Sequence, residues 1–424
     1  MKNFILRGHV CYSADLHEIT VAKYSYVVCA DGICQGVYEK LPDEYKSFPI
    51  YDYGNRIIIP GFVDLHIHAP QYAYRGLGMD LELLDWLDKQ AFPEEEKYDD
   101  INYAEAAYSI FADQMKKSAT THACIFGTRH RQATETLMEL MEETGLVTYI
   151  GKVNMDRNCP DRLREASAEL SAQETEKWIN ETQNLYKRTR QILTPRFIPS
   201  CTDELLERIS ELQKKYDLPV QSHLSENRDE IAWVKTLCPD SRFYGDAYKM
   251  HGLFGGNVKT VMAHCVYSTD EEMNLMRKNG VFVAHCPASN LNLSSGIAPI
   301  RKYLDAGVHI GLGSDVAGGQ TESIFKAMVD AIQVSKMYWR LVDSSCMPIT
   351  FEEAFFMATK GGGEFFGKVG SFEKGYEFNA VVIDDSDLPY PQKLKICQRL
   401  ERIVYLSFDI KGIHAKYAAG KKIF

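Results

Sequence analysis

Two histidines placed two positions apart end an apolar, β-prone run near the start of the chain. His66 and His68 close the segment PGFVDLHIH. Alternate side chains of a strand point to the same side, so both imidazoles converge on one point, where they can bind a single divalent metal ion. A catalytic metal site needs at least one further protein ligand and an open position for water. The rest of the chain must therefore supply donors that also lie at strand ends.

Three further segments carry such donors. His223 lies in SHLSEN, His264 in MAHCVYS and Asp315 in GLGSDVAGG, each where a short apolar run gives way to polar or glycine-containing sequence. That transition is typical of a strand end. We take His66, His68, His223 and Asp315 as the ligands of one metal ion. Nitrogen and oxygen donors suit Zn²⁺, which we expect as one ion per chain, with Fe²⁺ or Mn²⁺ as alternatives.

Eight apolar runs indicate the elements that position these donors. Helical patterns lie between the runs: Leu205, Leu206, Ile209 and Leu212 recur at helical spacing, and Ser268 to Glu271 is typical of a capping box. Alternation of this kind over about 300 residues predicts an α/β fold of the (β/α)8 TIM-type barrel, whose active sites lie at the carboxyl ends of the strands. The eight predicted strands are 62–68, 119–126, 146–154, 191–198, 218–224, 258–266, 280–286 and 309–315.

Both ends of the chain depart from this alternation. An Asp31-Gly32 pair between apolar runs predicts a hairpin near the amino terminus. Near the carboxyl terminus, NAVVIDD and RIVYLSFDI are strand-like. We therefore expect residues 1–58 and 375–424 to form one small β-sandwich domain, and residues 59–374 to form the barrel.

Composition narrows the class of partner and the compartment. With 58 acidic and 48 basic residues the formal net charge is −10, which argues against nucleic acid or an anionic membrane as the partner. No segment approaches the roughly 18 apolar residues of a membrane span, and Arg7 and His9 interrupt the first apolar run. The 11 cysteines are odd in number and form no CxxC pair, which is typical of reduced thiols. We expect a cytoplasmic enzyme that acts on a small molecule.

Six motifs together resemble a known family. They are PGFVDLHIHAPQY, TPRF, QSHLSEN, MAHCVYS, HCPASNLNLSSG and GLGSDVAGG. In this order they resemble the amidohydrolase superfamily and, within it, the guanine deaminase family. The resemblance implies hydrolytic deamination of guanine to xanthine and ammonia in purine catabolism and salvage, by a homodimer. It also implies one metal ion, because relatives with two metals carry a lysine on the fourth strand, and ILTPRFI has none.

The chemistry assigns roles to the residues near the predicted metal. Zinc lowers the pKa of bound water from about 15.7 to about 7. Asp315 can take the proton, and His264 can hydrogen-bond the attacking oxygen. Glu226, three residues beyond His223, is expected to protonate ring nitrogen 3 of guanine and then to carry a proton to the departing amine.

The purine contacts rest on the family resemblance alone. It assigns Gln71 and Arg196 to the purine edge and Phe197 to the pocket wall. We also count His223 among the residues that contact substrate. The sequence does not show which atom each side chain contacts.

Alternative interpretations exist for single residues and for the whole chain. Asp315 or Glu226 taken alone could cap a helix, and Arg196 could pair with a barrel carboxylate. The runner-up activity is another aminohydrolase or a chlorohydrolase acting on a modified purine, pyrimidine or triazine. A non-catalytic scaffold would lack some of the ligands, whereas this chain keeps all of them. Zinc deaminases of the cytidine type are excluded, because no PCxxC segment exists.

Overall fold

The computed structural model describes residues 3–406 and 410–424, which form a mixed α/β fold. The strands are β1 (Phe4–Ser13), β2 (Ile19–Ala30), β3 (Ile33–Tyr38), β4 (Ile50–Pro60), β5 (Phe62–His68), β6 (Thr120–Phe126), β7 (Val147–Gly151), β8 (Val153–Asn154), β9 (Thr189–Gln191), β10 (Thr194–Pro195), β11 (Val220–Leu224), β12 (Thr260–His264), β13 (Phe282–His285), β14 (His309–Leu312), β15 (Ala380–Ile383), β16 (Ile413–Ala418) and β17 (Lys421–Lys422).

Helices connect most of the strands. The α-helices are α1 (Leu83–Trp86), α2 (Phe92–Glu95), α3 (Ile101–Lys117), α4 (Arg131–Thr144), α5 (Ala168–Thr182), α6 (Asp203–Tyr216), α7 (Arg228–Leu237), α8 (Tyr244–Met250), α9 (Asp270–Asn279), α10 (Pro287–Asn292), α11 (Ile300–Ala306), α12 (Ile324–Leu341), α13 (Phe351–Phe356) and α14 (Ile396–Leu406). Short 3-10 and π turns lie at Asp43–Tyr45, Ala69–Tyr74, Leu87–Ala91, Glu96–Asp99, Ile198–Ser200, Met357–Gly361 and Ile410–Gly412.

Two parallel four-stranded sheets form the centre of the molecule. Their strand orders are β5-β6-β7-β9 and β11-β12-β13-β14. Every residue of β5 and β6 is buried, as expected for parallel strands covered on both faces. At one edge the β8–β10 pair and a bridge between Leu193 and Val220 lie between the sheets. At the other, the amide of Asp315 donates to the carbonyl of His66 at 2.8 Å.

The predicted strands are present, most of them shorter than the apolar runs, and two of the runs are each divided between two short strands. The run 146–154 is divided into β7 and β8, and the run 191–198 forms only β9 and β10. Pro195 ends β10 and Pro199 follows soon after, and neither can donate a ladder hydrogen bond. Arg196 and Phe197 therefore lie just beyond a strand end.

Strands from both termini form a third sheet of seven strands. Its order is β17-β16-β15-β4-β1-β2-β3, and β2 and β3 form the hairpin predicted at Asp31-Gly32. Tyr417 from the carboxyl terminus stacks on Phe4 with ring centroids 5.2 Å apart. Strand β4 leads into β5 through Gly61, where a Cβ would lie 2.2 Å from the side chain of Thr121, so only glycine fits.

Two local predictions are wrong. The run RIVYLSFDI was expected to be a strand, but α14 extends to Leu406, because Leu400, Ile403 and Val404 recur at helical spacing and are buried; residues 407–409 of this run lie outside the described residues. The cap of α9 is Thr269, whose side chain accepts from the amide of Glu272, one position later than predicted from Ser268.

Within residues 3–406 and 410–424, no helix combines the length and the apolar character needed to cross a bilayer. The 11 cysteines are all free thiols, and most are buried.

Candidate active site

The four predicted metal ligands meet at the carboxyl ends of the parallel strands. The Nε2 atom of His68 lies 3.2 Å from the Nε2 atoms of both His66 and His223. The Oδ1 atom of Asp315 lies 3.1 Å from Nε2 of His66 and 3.5 Å from Nε2 of His68. The structure thus places donors from three separate strand ends within a few ångströms of one another.

Hydrogen bonding and burial keep the imidazoles in the form that binds metals. The Nδ1 atom of His223 lies 2.6 Å from the carbonyl oxygen of Arg196. Because a carbonyl can only accept, Nδ1 carries the proton, and the lone pair on Nε2 faces the other donors. Burial lowers the pKa of His66, and it lowers the pKa values of His68 and His223 well below the usual value. Neutral imidazole is the ligating form.

Asp315 is held as an anion in a strained turn. Burial alone would raise its pKa, but the imidazoles of His66 and His264 lower the pKa well below the usual range. Its φ of 47° lies in the left-handed region, which is costly for a residue other than glycine and recurs at functional sites. The buried carboxylate of Asp64 secures the turn by accepting from the amide of Ser314 at 3.0 Å and from the amide of His66 at 3.2 Å.

His264 lies between two carboxylates. Its Nε2 atom is 3.3 Å from Oε2 of Glu226 and 3.6 Å from Oδ2 of Asp315, while Nδ1 lies 2.9 Å from Oδ1 of Asn290. Burial would lower the pKa of His264, but the two carboxylates raise it. The residue is therefore suited to hold or pass a proton. A thiol that we did not predict, that of Cys286, also lies within 4.8 Å of donor atoms of His264 and Asp315.

Glu226 is a buried carboxyl group that can exchange a proton near neutral pH. Burial raises its pKa to about 7, against the lowering effects of His264 and of a hydrogen bond from Ser295. The Ser295 hydroxyl donates to Oε1 of Glu226 at 2.9 Å. Oε2 of Glu230 accepts from the amides of Glu226 and Asn227 at 3.1 and 3.3 Å, as part of the capping box of α7. The backbone and the carboxylate of Glu226 are thus both fixed.

A cavity adjoins these groups. The segment that follows β5 supplies much of its wall. The predicted substrate residues Gln71, Arg196, Phe197 and His223 all line the cavity, together with Glu226, His264 and Asp315. The apolar wall comprises Leu83, Trp86, Leu87, Phe197 and Leu293.

Arg196 and Gln71 share a buried partner, Glu95. The guanidinium donates from Nη1 to Oε2 of Glu95 at 2.6 Å and from Nη2 to Oε1 at 3.1 Å. The Nε2 atom of Gln71 donates to Oε1 of Glu95 at 2.9 Å. Burial alone would lower the pKa of Arg196, but the carboxylate of Glu95 raises it. Arg196 therefore has a carboxylate partner, as one alternative interpretation held, and also lines the cavity.

Several residues of the site were not found from the sequence. Glu95 is one of three consecutive glutamates, 94–96, and nothing local distinguishes it from its neighbours. Glu230 was detectable, because Asn227 and Glu230 have the spacing of a capping box. Asn290 and Ser295 lie inside the motif HCPASNLNLSSG, but their roles depend on contacts with His264 and Glu226, which lie at other strand ends.

Comparisons with known proteins identify the family of this chain. The amidohydrolase family model matches residues 57–414. The guanine deaminase of Dictyostelium discoideum is 37% identical over 453 residues, covering 99% of this chain and 98% of its own length. The guanine deaminase of Mus musculus is 39% identical over 401 residues, covering 91% of this chain and 87% of its own length.

A solved structure is similar over its entire length. The guanine deaminase from C. acetobutylicum, crystallised with bound guanine in the active site, has a TM-score of 0.96 and 47% identity, with 100% of each chain covered. The chain therefore belongs to the amidohydrolase family, and within it to the guanine deaminase family.

Proposed function

We propose that this protein hydrolyses guanine to xanthine and ammonia. The observation that carries the proposal is the shared cavity: a cluster of metal donors, a buried carboxyl group with a pKa of about 7, and a fixed donor-bearing edge all line it. Proteins named guanine deaminase that are similar over nearly the whole chain support the same substrate. The reaction belongs to purine catabolism and salvage.

The donor cluster fits a single zinc ion. Zinc bonds of about 2.0–2.2 Å to nitrogen and oxygen require donor atoms that lie about 3–4 Å apart. Four separations that link His66, His68, His223 and Asp315 are 3.1 to 3.5 Å and fall in that range. Three neutral imidazoles and one carboxylate also suit Fe²⁺. A bound ion would lower the pKa of water and polarise it for attack.

The first half of the reaction needs one acid and one base. Glu226 in its protonated form donates to ring nitrogen 3 of guanine while the oxygen of water forms a bond to carbon 2. Asp315 takes one proton of that water, and the imidazole of His264 hydrogen-bonds the oxygen. General acid–base assistance of this kind contributes about 10²–10⁴-fold to a rate.

The second half breaks the bond between carbon 2 and the amino nitrogen. Glu226, now a carboxylate, takes the proton of the new hydroxyl group and gives it to the amino nitrogen, which leaves as ammonia. Carbon 2 becomes the carbonyl of xanthine. The proton on Asp315 then returns to Glu226, and His264 is placed to carry it, since Nε2 lies within 3.6 Å of both carboxylates.

Substrate binding uses four other residues of the same cavity. Gln71 and Arg196 supply polar groups to the purine edge, Phe197 supplies an apolar wall, and the ring of His223 closes the site near the metal donors. Phe197 lies with its ring centroid 6.5 Å from that of His223.

We also propose the domain architecture, the cellular location and the oligomeric state that the sequence predicts. The contacts at both edges of the two parallel sheets support a (β/α)8 barrel over residues 59–374. The terminal sheet, with its own apolar cluster, supports a small β-sandwich domain from 1–58 and 375–424, although β4 crosses the proposed boundary and ends at Pro60. Free thiols are consistent with a cytoplasmic location. The family resemblance supports a homodimer, and the net charge of −10 favours a protein that binds neither nucleic acid nor membrane.

A substrate panel tests the activity. The full chain, loaded with Zn²⁺, is assayed for ammonia release from guanine, 8-oxoguanine, cytosine and adenosine. We expect the highest kcat/KM for guanine, with xanthine formed in equal amount. Release from another base but not from guanine would overturn the proposal.

A further inference from the structure

We propose that Glu95 is a positioning residue that makes the pocket select 6-oxopurines over 6-aminopurines. The inference rests on the proposed function and names the group that sets its specificity. Glu95 is 1% exposed and lies at the end of α2, behind the two side chains that face the purine edge. Its carboxylate is the only link between them that the described residues show.

The carboxylate fixes the guanidinium of Arg196. Arg196 has five guanidinium N–H groups, and two of them donate to the carboxylate of Glu95. The ring of Phe92, from the same helix as Glu95, lies 5.2 Å from the guanidinium carbon. The other N–H groups of Arg196 do not bind Glu95, and the side chain lines the cavity. Because arginine carries donors only, it favours a substrate acceptor at this edge and disfavours an exocyclic amino group.

The same carboxylate fixes the amide orientation of Gln71. Nε2 donates to Glu95, and Oε1 accepts from the amide of Ala317 at 3.1 Å. A flipped amide would place Oε1 against the carboxylate and Nε2 against the Ala317 amide, so both contacts would become repulsive. The pattern of donors and acceptors at the purine edge is therefore locked.

A comparison of guanine with 2,6-diaminopurine tests whether fixed orientations of Arg196 and Gln71 set the specificity. Both carry the 2-amino group that the reaction removes. Guanine has an acceptor oxygen at carbon 6 and a donor at nitrogen 1, whereas 2,6-diaminopurine has a donor amino group and an acceptor nitrogen at these positions. Arg196 and Gln71 in fixed orientations pair with the groups of guanine, whereas 2,6-diaminopurine would leave polar groups unpaired.

Glu95→Gln removes the lock while keeping the shape of the side chain. The variant leaves the buried charge of Arg196 without a counter-charge, so the guanidinium loses its fixed position. A glutamine at position 95 can either accept from Gln71 or donate to it, so the variant removes one of the two contacts that fix the Gln71 amide and leaves only the contact with the amide of Ala317. Both effects weaken discrimination at carbon 6.

The chain offers a matched control one position earlier. Glu94 lies on the same helix and is 6% exposed, but its carboxylate binds Lys97 at 2.6 Å and the hydroxyl of Tyr103, not the residues of the purine edge. Glu94→Gln removes one buried charge from α2 without touching Arg196 or Gln71.

The experiment measures kcat/KM for ammonia release from guanine and from 2,6-diaminopurine with the metal-loaded full chain. We expect Glu95→Gln to lower the preference for guanine about tenfold or more, chiefly through a higher KM for guanine. Glu94→Gln should keep the wild-type ratio. Glu95→Asp retains the charge and should restore part of the preference for guanine. If Glu95→Gln shows no cooperative thermal transition, Glu95→Asp becomes the test, and its ratio of kcat/KM values for guanine and 2,6-diaminopurine must fall below that of the wild type.

Two results overturn the inference. One is an unchanged ratio in Glu95→Gln, or in Glu95→Asp if only that variant folds. The other is an equal fall in Glu94→Gln, which would show a general effect of α2. A wild-type protein that releases no ammonia from guanine would overturn the proposed function instead, so the two failures are distinguishable.

Discussion

The carbonyl oxygen of Arg196 accepts a 2.6 Å hydrogen bond from Nδ1 of His223. One residue therefore contributes to two parts of the site: its side chain lines the cavity, and its backbone sets the tautomer of a proposed metal ligand. Hydrogen bonds to the second nitrogen of a ligating imidazole fix the orientation of the ring and raise its basicity. Because the two contributions use different atoms, mutation of the side chain separates them.

Arg196→Ala should raise the KM for guanine sharply and leave the metal content unchanged. The substitution removes the guanidinium but keeps the carbonyl that holds His223. Loss of one buried charged contact is expected to cost about 2–4 kcal/mol of binding, or about 30- to 1000-fold in KM. Steady-state kinetics and elemental analysis of the same sample check both statements. An unaltered KM would remove Arg196 from the purine edge.

Glu226→Gln should retain its metal and lose most of its turnover. The amide cannot donate and recover a proton as the carboxyl group does, so kcat should fall about 10²–10⁴-fold. Ser295→Ala is the matched variant, because it removes only a hydrogen bond to the carboxylate and should cost much less. Full activity in Glu226→Gln would eliminate the proton shuttle.

The rate should fall on the alkaline side of neutrality. Burial raises the pKa of Glu226 to about 7, so the acid form required for the first proton transfer is present below that pH and is lost above it. The hydrogen bond from Ser295 lowers this pKa, so Ser295→Ala should move the descending limb to higher pH. A profile of kcat/KM from about pH 5 to about pH 9 shows both effects, and a limb that moves to lower pH would contradict the assignment.

Metal binding should require His68 but not His309. The full chain should contain one equivalent of metal, and His68→Ala should lose it, because His68 contacts three of the other donors. His309 begins β14 and pairs with Glu364 at 3.0 Å, so His309→Ala should keep the metal. Chelation should lower the thermal midpoint of the wild type, since a ligand at 100 times its Kd stabilises by about 2.7 kcal/mol. Equal metal loss in both variants would contradict the ligand set.

Much of this site was predictable because strand ends carry strong sequence signals. His66, His68, His223, His264 and Asp315 each follow a short apolar run, and a parallel sheet brings the carboxyl ends of its strands together. Their proximity therefore follows from periodicity, without knowledge of loop geometry. The structure places a donor atom of each residue within 3.6 Å of a donor atom of another, while their catalytic roles stay predictions.

The rest could not be predicted, because it depends on contacts between distant segments. Glu95 comes from the segment after β5 and meets Arg196 from beyond β10, more than 100 residues later along the chain. No local pattern records that contact. The error in α14 has a different cause: a short apolar run of β-branched and aromatic residues fits a strand or a helix, and packing decided for the helix.

Lys416 should stabilise the junction between the terminal sheet and the central sheets. It is fully buried in β16, and its Nζ atom donates to the carbonyls of Met115, Lys116 and Ser118 at 3.0, 3.2 and 2.9 Å. These carbonyls lie at the end of α3, where the last turn of a helix lacks partners of its own.

Lys416→Met keeps an apolar chain of similar length but leaves those acceptors unpaired, so unfolding should become easier by about 1–3 kcal/mol. Lys421→Met, at an exposed position in β17, should change stability by less than about 0.5 kcal/mol. Thermal and urea unfolding compare the two variants, and kcat/KM for guanine should be retained in both. Equal stability of the two would show that the three hydrogen bonds contribute nothing at this junction.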